Sequence, residues 1–403
     1  MVFEFNRYSG LLLVFFIHGL VYTFLLFYKG VKQERRSDLW LSLFLFCSIL
    51  YICPWMLGFA GWYEGESCLE CRNFLFYMPL QHTLVMGPAI YFYIRCVLQP
   101  GYRFQRVDWL HFLPAILYGL WCVIVFVTDR LVLERYYLMD GRVDPDFDNW
   151  YIAAGLVSLM IYGLASLRFY RKYKRFIVQM FSFADDLTFK WIRNFLVTFS
   201  IYFASNFLFH LIQWFGVEVN YTDSWWYYLL FALLFYFIAI NGYSNAIQSR
   251  TAFQLGLLKF QSQPLLGTMA SQEMATTEDI SFKDLTKETV QDQSDYSEWK
   301  KRIETLMTTE KLYQNPELTL SGLAKKLGVN TVQLSRIINQ GFGLNFNDFI
   351  NRYRVDEVKQ MLINRQQDQF TIMSLAYEAG FNSKATFNRA FKKFTGSNPK
   401  DFG

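Results

Sequence analysis

The chain has 403 residues, 53% of them hydrophobic and 20% aromatic, with 39 Lys or Arg against 34 Asp or Glu and a formal net charge of +5. This length gives room for two or three domains, and the apolar and aromatic content exceeds what a soluble chain usually carries, which argues against a wholly soluble protein. The apolar excess collects before about residue 242, in runs near the ~20 residues a helix needs to cross a hydrocarbon core of ~30 Å.

Seven spans are expected: 10–28, 39–59, 74–98, 109–127, 150–167, 195–215 and 225–240. The first is a poor signal peptide, because only Arg7 precedes it, Glu4 offsets that charge, and no small-x-small cleavage site follows. Fourteen basic residues fall on one side of these spans, including Lys29, Lys32, Arg35, Arg36, Arg168, Arg171 and Lys172, against five on the other: Arg7, Arg72, Arg130, Arg135 and Arg142. Basic loops stay in the cytoplasm. The N-terminus is therefore expected outside a bacterial inner (cytoplasmic) membrane, with everything beyond Ile240 inside the cell.

All four histidines, His18, His82, His111 and His210, fall in expected spans. Polar side chains at membrane depth are costly and need partners or a cavity. Asn206, His210 and Gln213 follow helical spacing on the sixth span, Gln81 and His82 sit at similar outer depth on the third, and His18 is near the middle of the first. These six residues are read as a pocket open to the outside for a small polar ligand, and the alternative is hydrogen bonding that only glues the helices together. Outside, Cys68 and Cys71 are spaced for a local disulfide, with idle thiols or a metal or redox role as alternatives. The outer Asp140, Asp144, Asp146 and Asp148 lack the full spacing of a calcium loop and read as solvated. Cys47, Cys53, Cys96 and Cys122 read as small apolar packing residues.

Residues 243–297 read as a linker, mostly polar and acidic, whose early part, 244–260, has the alternative of continuing the last span as a stiff helix. If flexible, 251–297 would span on the order of 40 Å. From Glu298 to the end the charge turns basic, with sixteen Lys or Arg against ten Asp or Glu. More informative is an internal repeat. LAKKLGVNTVQLSRII (323–338) and LAYEAGFNSKATFNRAF (375–391) each carry a small residue, Ala324 or Ala376, a glycine, Gly328 or Gly380, and an apolar plug, Val329 or Phe381. Helix-starting residues follow, then a helix with an apolar face (Leu334, Ile337, Ile338; Phe387, Ala390, Phe391) and an outer face that ends in Arg. An outer face of that kind suits a helix entering the major groove, where Arg bonds guanine, Asn bonds adenine and Val or Ala meets a thymine methyl.

Through LSGLAKKLGVNTVQLSRIIN, FNDFINRYRVDEVKQML and IMSLAYEAGFNSKATFNRAFKKFTGSNPKDF, the last ~105 residues resemble the DNA-binding domain of the AraC/XylS transcription regulators. The resemblance covers about a quarter of the chain and leaves the membrane part unassigned. It implies two helix-turn-helix units joined by one helix and entering successive major grooves about 34 Å apart. Val332, Gln333, Ser335 and Arg336 would read bases from the first unit, and Lys384, Ala385, Asn388 and Arg389 from the second. Thr331, Ser383, Lys392 and Lys393 would hold phosphates. Arg352 and Arg354 are expected mainly to brace the linking helix. Implied partners are double-stranded promoter DNA and RNA polymerase.

The expected fold is therefore all-α: a seven-helix membrane bundle over 1–242, a cytoplasmic linker over 243–297 and a double helix-turn-helix domain over 298–403. The expected function is one-component regulation of transcription, controlled by a small ligand or a membrane protein sensed within the bilayer, with a homodimer as the expected assembly. The alternative is a transporter-like or partner-docking membrane protein with a regulatory tail. No P-loop, nucleotide fingerprint or nucleophile constellation occurs in the cytoplasmic part, so neither an enzyme nor a cofactor is expected.

Overall fold

The computed structural model describes residues 5–63, 68–99, 101–139, 146, 148–184, 190–216, 220–261, 293–364 and 370–402. Among them the chain is helical without strands, apart from a single antiparallel bridge between Phe181 and Thr319. It divides into two compact units: Met1–Arg171 with Lys190–Thr251, and Lys172–Phe189 with Ala252–Gly403.

The first unit holds α1 (Arg7–Lys32), α2 (Arg36–Phe59), α3 (Leu69–Tyr77), α4 (Thr83–Leu98), α5 (Leu113–Phe126), most of α6 (Asn149–Met180), α7 (Lys190–Trp214) and the first part of α8 (Trp225–Gln261). α1 begins in a capping box. The Asn6 side chain accepts from the Ser9 amide at 3.0 Å, and Ser9 Oγ accepts from the Asn6 amide at 3.0 Å. Asn6 Nδ2 also donates to Phe59 O at 2.8 Å, tying the start of α1 to the end of α2.

Six described helices are long and apolar enough to cross a membrane, and α4 is a shorter apolar one. Their outward faces are apolar: Val14, Ile17, Val21 and Phe24 on α1, and Leu117 and Val123 on α5, are all exposed. So much exposed hydrocarbon is costly in water and is the kind of surface that suits a lipid layer.

The expected third span, 74–98, is broken. α3 stops at Tyr77, Met78 is extended (φ −87°, ψ 116°), and α4 starts only at Thr83. Pro79 is the cause: its ring disfavours helical geometry at the residue before it, and it has no N–H to donate. The freed amides of Leu80 and Gln81 donate to the buried Asp146 carboxylate at 2.7 and 2.9 Å, and Tyr118 Oη donates to the same group. Asp146 is thus a buried acceptor rather than a solvated loop residue; Asp140 and Asp144 lie outside the described residues. α4 alone rises ~24 Å, short of a ~30 Å core. In the linker, α8 continues as one helix to Gln261, which matches the stiff alternative for 244–260; residues 262–292 lie outside the described residues.

In the second unit, α9 (Gln293–Thr309) precedes α10 (Leu320–Leu327), α11 (Thr331–Phe342), α12 (Phe346–Ile363), α13 (Ile372–Glu378) and α14 (Lys384–Thr395). Two separate apolar cores form. One gathers Leu323, Leu327, Leu334, Ile337 and Ile338 with the first half of α12, and the other gathers Leu375, Phe381, Phe387 and Phe391 with its second half. Gly380 sits at φ +98°, and a Cβ there would lie 2.5 Å from Tyr313 O. Only glycine fits this turn.

Gly380→Ala is accordingly expected to destabilise the second unit by about 2–4 kcal/mol. Denaturant titration of the purified full-length protein, followed through a tryptophan in this unit, checks that value.

Candidate nucleic-acid interface

Each repeat folds into the same device. In the first, Thr319 caps α10 by accepting from the Gly322 amide at 3.1 Å, and Gly328 ends that helix in the left-handed region (φ 70°). Val329 N donates back to Ala324 O at 3.1 Å, which closes the tight turn. Asn330 then caps α11 by accepting from the Gln333 amide at 2.7 Å. The second repeat gives the same sequence of events. Thr371 caps α13, Gly380 turns the chain, Phe381 N donates to Ala376 O at 3.0 Å, and Ser383 caps α14 by accepting from the Thr386 amide at 3.3 Å.

These caps orient α11 and α14. Leu334, Ile337 and Ile338 are buried, while Val332 and Gln333 are exposed and Thr331, Ser335 and Arg336 are half-buried beside them. On α14, Phe387, Ala390 and Phe391 are buried, while Lys384, Ala385, Asn388, Arg389, Lys392 and Lys393 are exposed. The eight residues expected to read bases therefore lie on two solvent-facing helix surfaces. Of the four expected at phosphates, Ser383 already uses its hydroxyl as a cap, and Lys393 Nζ is 2.6 Å from Asp348 Oδ2 on α12. Among the described residues, the side chains of Lys392 and Thr331 make no hydrogen bond or ion pair.

Arg354 ties α12 to the segment that precedes the first repeat. It is buried in α12, and its five N–H groups meet five acceptors. Nε donates to Tyr313 O at 2.7 Å and Nη2 to Asn315 O at 2.8 Å; Nη1 also reaches Asn351 Oδ1 at 3.3 Å. The remaining bonds run to Ser182, to its O at 3.3 Å and its Oγ at 3.2 Å. The second repeat adds Asn382 Nδ2, which donates to Pro316 O at 3.2 Å. Glu357, one turn further along α12, accepts from Lys311 at 2.7 Å and Tyr313 Oη at 2.9 Å. Arg354 thus braces rather than touches phosphate, and Arg352 is exposed.

The six residues expected to form a ligand pocket have varied surroundings. Asn206 is buried, and its Nδ2 faces the hydroxyls of Tyr227 (2.7 Å), Tyr202 (3.2 Å) and Tyr51 (3.4 Å). Gln81 is buried beside Asp146, and its carbonyl accepts from Tyr151 Oη. His82 stands at the N-cap of α4; His18 Nδ1 donates to Val14 O at 2.8 Å and packs edge-on to Tyr236. His210 packs edge-on to Phe209, and Gln213 is exposed. Cys68 and Cys71 are joined in a disulfide. Sequence reasoning missed Ser182, Asn347 and the tyrosines around Asn206, because each acts through partners distant in the chain.

Two capped helix pairs with exposed second helices, locked to one connecting helix, define a helix-turn-helix DNA-binding protein. A family model described as Helix-turn-helix domain matches residues 323–403. Through this domain the chain belongs to the AraC-type helix-turn-helix transcriptional regulators. It is similar to the "Probable transcription factor PqrA" of Proteus vulgaris, 30% identical over 91 residues that make up 23% of this chain and 72% of that protein. It is also similar to the "Uncharacterized HTH-type transcriptional regulator SACOL0084" of Staphylococcus aureus, 33% identical over 91 residues; there the match spans 23% of this chain and only 12% of the relative. A solved structure from Listeria innocua, of a protein of unknown function, aligns with 25% of this chain and 91% of its own at 27% identity and a TM-score of 0.23.

Burial pushes the pKa of the Glu357 carboxyl up, but the hydrogen bonds from Lys311, Tyr313 and Gln314 outweigh it and hold the carboxyl below its ordinary 4.5. A carboxyl lowered on folding stabilises the fold above its unfolded pKa, and that contribution is lost as pH falls through the lower folded value. Glu357→Gln is expected to flatten the loss of stability below about pH 4.5, read as melting temperature against pH for both proteins.

Proposed function

We propose that this protein is a membrane-anchored regulator of transcription that reads promoter DNA through both helix-turn-helix units under the control of its membrane part. The observation that carries the reading is the pair of exposed helix faces, 331–336 and 383–389, held on one helix in a chain whose described residues also include six helices of membrane-spanning length and apolarity. Val332, Gln333, Ser335 and Arg336 take the first major groove, and Lys384, Ala385, Asn388 and Arg389 the next. Lys392 and Thr331 are the stronger phosphate contacts, since Lys393 and Ser383 are already bonded within the domain.

The distribution of basic residues supports an N-terminus outside and the DNA-binding domain in the cytoplasm, where RNA polymerase is the partner. Two tethered domains on adjacent sites gain from effective concentration, which favours a homodimer. A small polar ligand or a membrane protein supplies the signal, and the outer-half polar residues His18, Gln81, His82, Asn206, His210 and Gln213 are the group through which a ligand would act.

Genome-wide occupancy of the intact protein tests this function. A discrete set of sites is expected, and Arg336→Ala or Arg389→Ala should each weaken binding to those sites about 5- to 150-fold, the ~1–3 kcal/mol of a bidentate base contact. Occupancy without discrete sites would overturn the reading. Lys392→Ala should weaken specific and non-specific duplexes alike and reduce the slope of log K against log salt by about one, measured by titration at several salt concentrations.

A further inference from the structure

The second compact unit contains more than the DNA-binding domain, because residues 172–189 belong to it as well. α6 is one helix from Asn149 to Met180, so the same helix that has the length and apolarity of a membrane span ends inside the unit that carries the recognition helices. At its end the chain turns onto the domain. Phe181 pairs with Thr319 in an antiparallel bridge, and Ser182 N donates to Leu318 O at 3.2 Å. Asn347 Nδ2 donates to Ser182 O at 3.0 Å and to Phe181 O at 3.3 Å, and Arg354 spends two bonds on Ser182. Asn347, Asn351 and Arg354 form one stripe of α12, linked by Asn351 Nδ2 to Asn347 Oδ1 at 3.1 Å. Met180 packs against the core of the first repeat, and Phe181 and Ala184 are buried.

This is a docked peptide, and its location is informative. Thr319 caps α10, the first helix of the first repeat, and in a helix-turn-helix that helix crosses the DNA backbone with its positive N-terminal end closest to phosphate. Arg354 holds Tyr313 and Asn315, in the segment that the second repeat also grips through Asn382 and Pro316. A segment paired with Thr319 and bonded to Arg354 sits at the end of α10 that this class of fold turns toward the DNA backbone, and it engages the side chain that ties α12 to residues 313–315.

We infer that residues 181–184 are an autoinhibitory latch: a turn at the end of α6 that docks on Thr319, Asn347 and Arg354 and restrains DNA binding until α6 moves. The inference rests on the DNA-reading function proposed above. A signal that shifts α6 withdraws Ser182 from Arg354 and frees the N-terminus of α10. The coupling needs no separate messenger, because the helix and the latch are one continuous segment.

A reversible lock tests it in the full-length protein reconstituted in nanodiscs, with a duplex taken from its most strongly occupied genomic site as probe. The bond from Ser182 N to Leu318 O makes Phe181 and Thr319 a non-hydrogen-bonded antiparallel pair, with Cα atoms about 4.5 Å apart and within disulfide reach. Phe181→Cys with Thr319→Cys should crosslink on oxidation, bind the duplex at least tenfold more weakly than when reduced, and recover on reduction. Wild-type protein carried through the same treatment controls for Cys68–Cys71. Phe181→Gly with Ser182→Gly should bind the duplex several-fold more tightly than wild type.

Equal or tighter binding in the oxidised state, unchanged or weaker binding by the glycine variant, or failure of the crosslink to form would each overturn the latch. A wild-type protein that binds no duplex in either redox state overturns the DNA-reading function and the restraint on it together, while crosslinking still reports separately whether the turn docks.

Discussion

The second unit depends on one buried guanidinium. A cation taken out of water is costly unless each of its donors finds an acceptor, and Arg354 finds acceptors on Tyr313, Asn315, Asn351 and Ser182. The two apolar cores on either side of Arg354 are separate, so the relation between the two recognition helices is fixed by this polar joint and by α12 rather than by a continuous hydrophobic interior. α12 rises ~27 Å over its 18 residues.

The first unit follows a different economy. Its outward faces are apolar, and two of its buried polar side chains find partners within the bundle: Asn206 in tyrosine hydroxyls, Asp146 in the amides that Pro79 leaves free. Breaks in helical bonding inside a hydrocarbon layer persist only where protein groups replace the missing partners. α6 links this economy to that of the DNA-binding domain, because its last residues lead into the turn that Arg354 and Asn347 hold.

Much of this was legible in the sequence because it is written in local periodicity. The apolar runs marked the helices, and the two glycine turns followed by Asn330 and Ser383 marked the helix pairs. The i, i+3, i+4 pattern separated Leu334 and Phe387 from Arg336 and Arg389, and the structure buries the first pair while leaving the second at the surface. The misreadings share one physical origin. Pro79 was visible, but hydropathy over 74–98 does not register a backbone break. Asp146 looked like one acid among several, and its burial depends on amides about 65 residues away. Lys393 looked free for phosphate until α12 brought Asp348 beside it, and Ser182 reaches α12 across some 170 residues. Pairings of that separation leave no mark on local pattern.

The central claim is that two recognition helices read one stretch of DNA as a single rigid body set by the Arg354 joint. Its most direct test is a duplex carrying the footprinted site with 5 or 10 base pairs inserted between the two protected grooves. A rigid reader should lose specific binding with both insertions, because the first rotates the second groove to the opposite face and the second moves it about a full turn beyond reach. Retained specific affinity with the 10-base-pair insertion would show that the two units are flexibly tethered, and retained affinity with 5 would show that only one of them reads DNA.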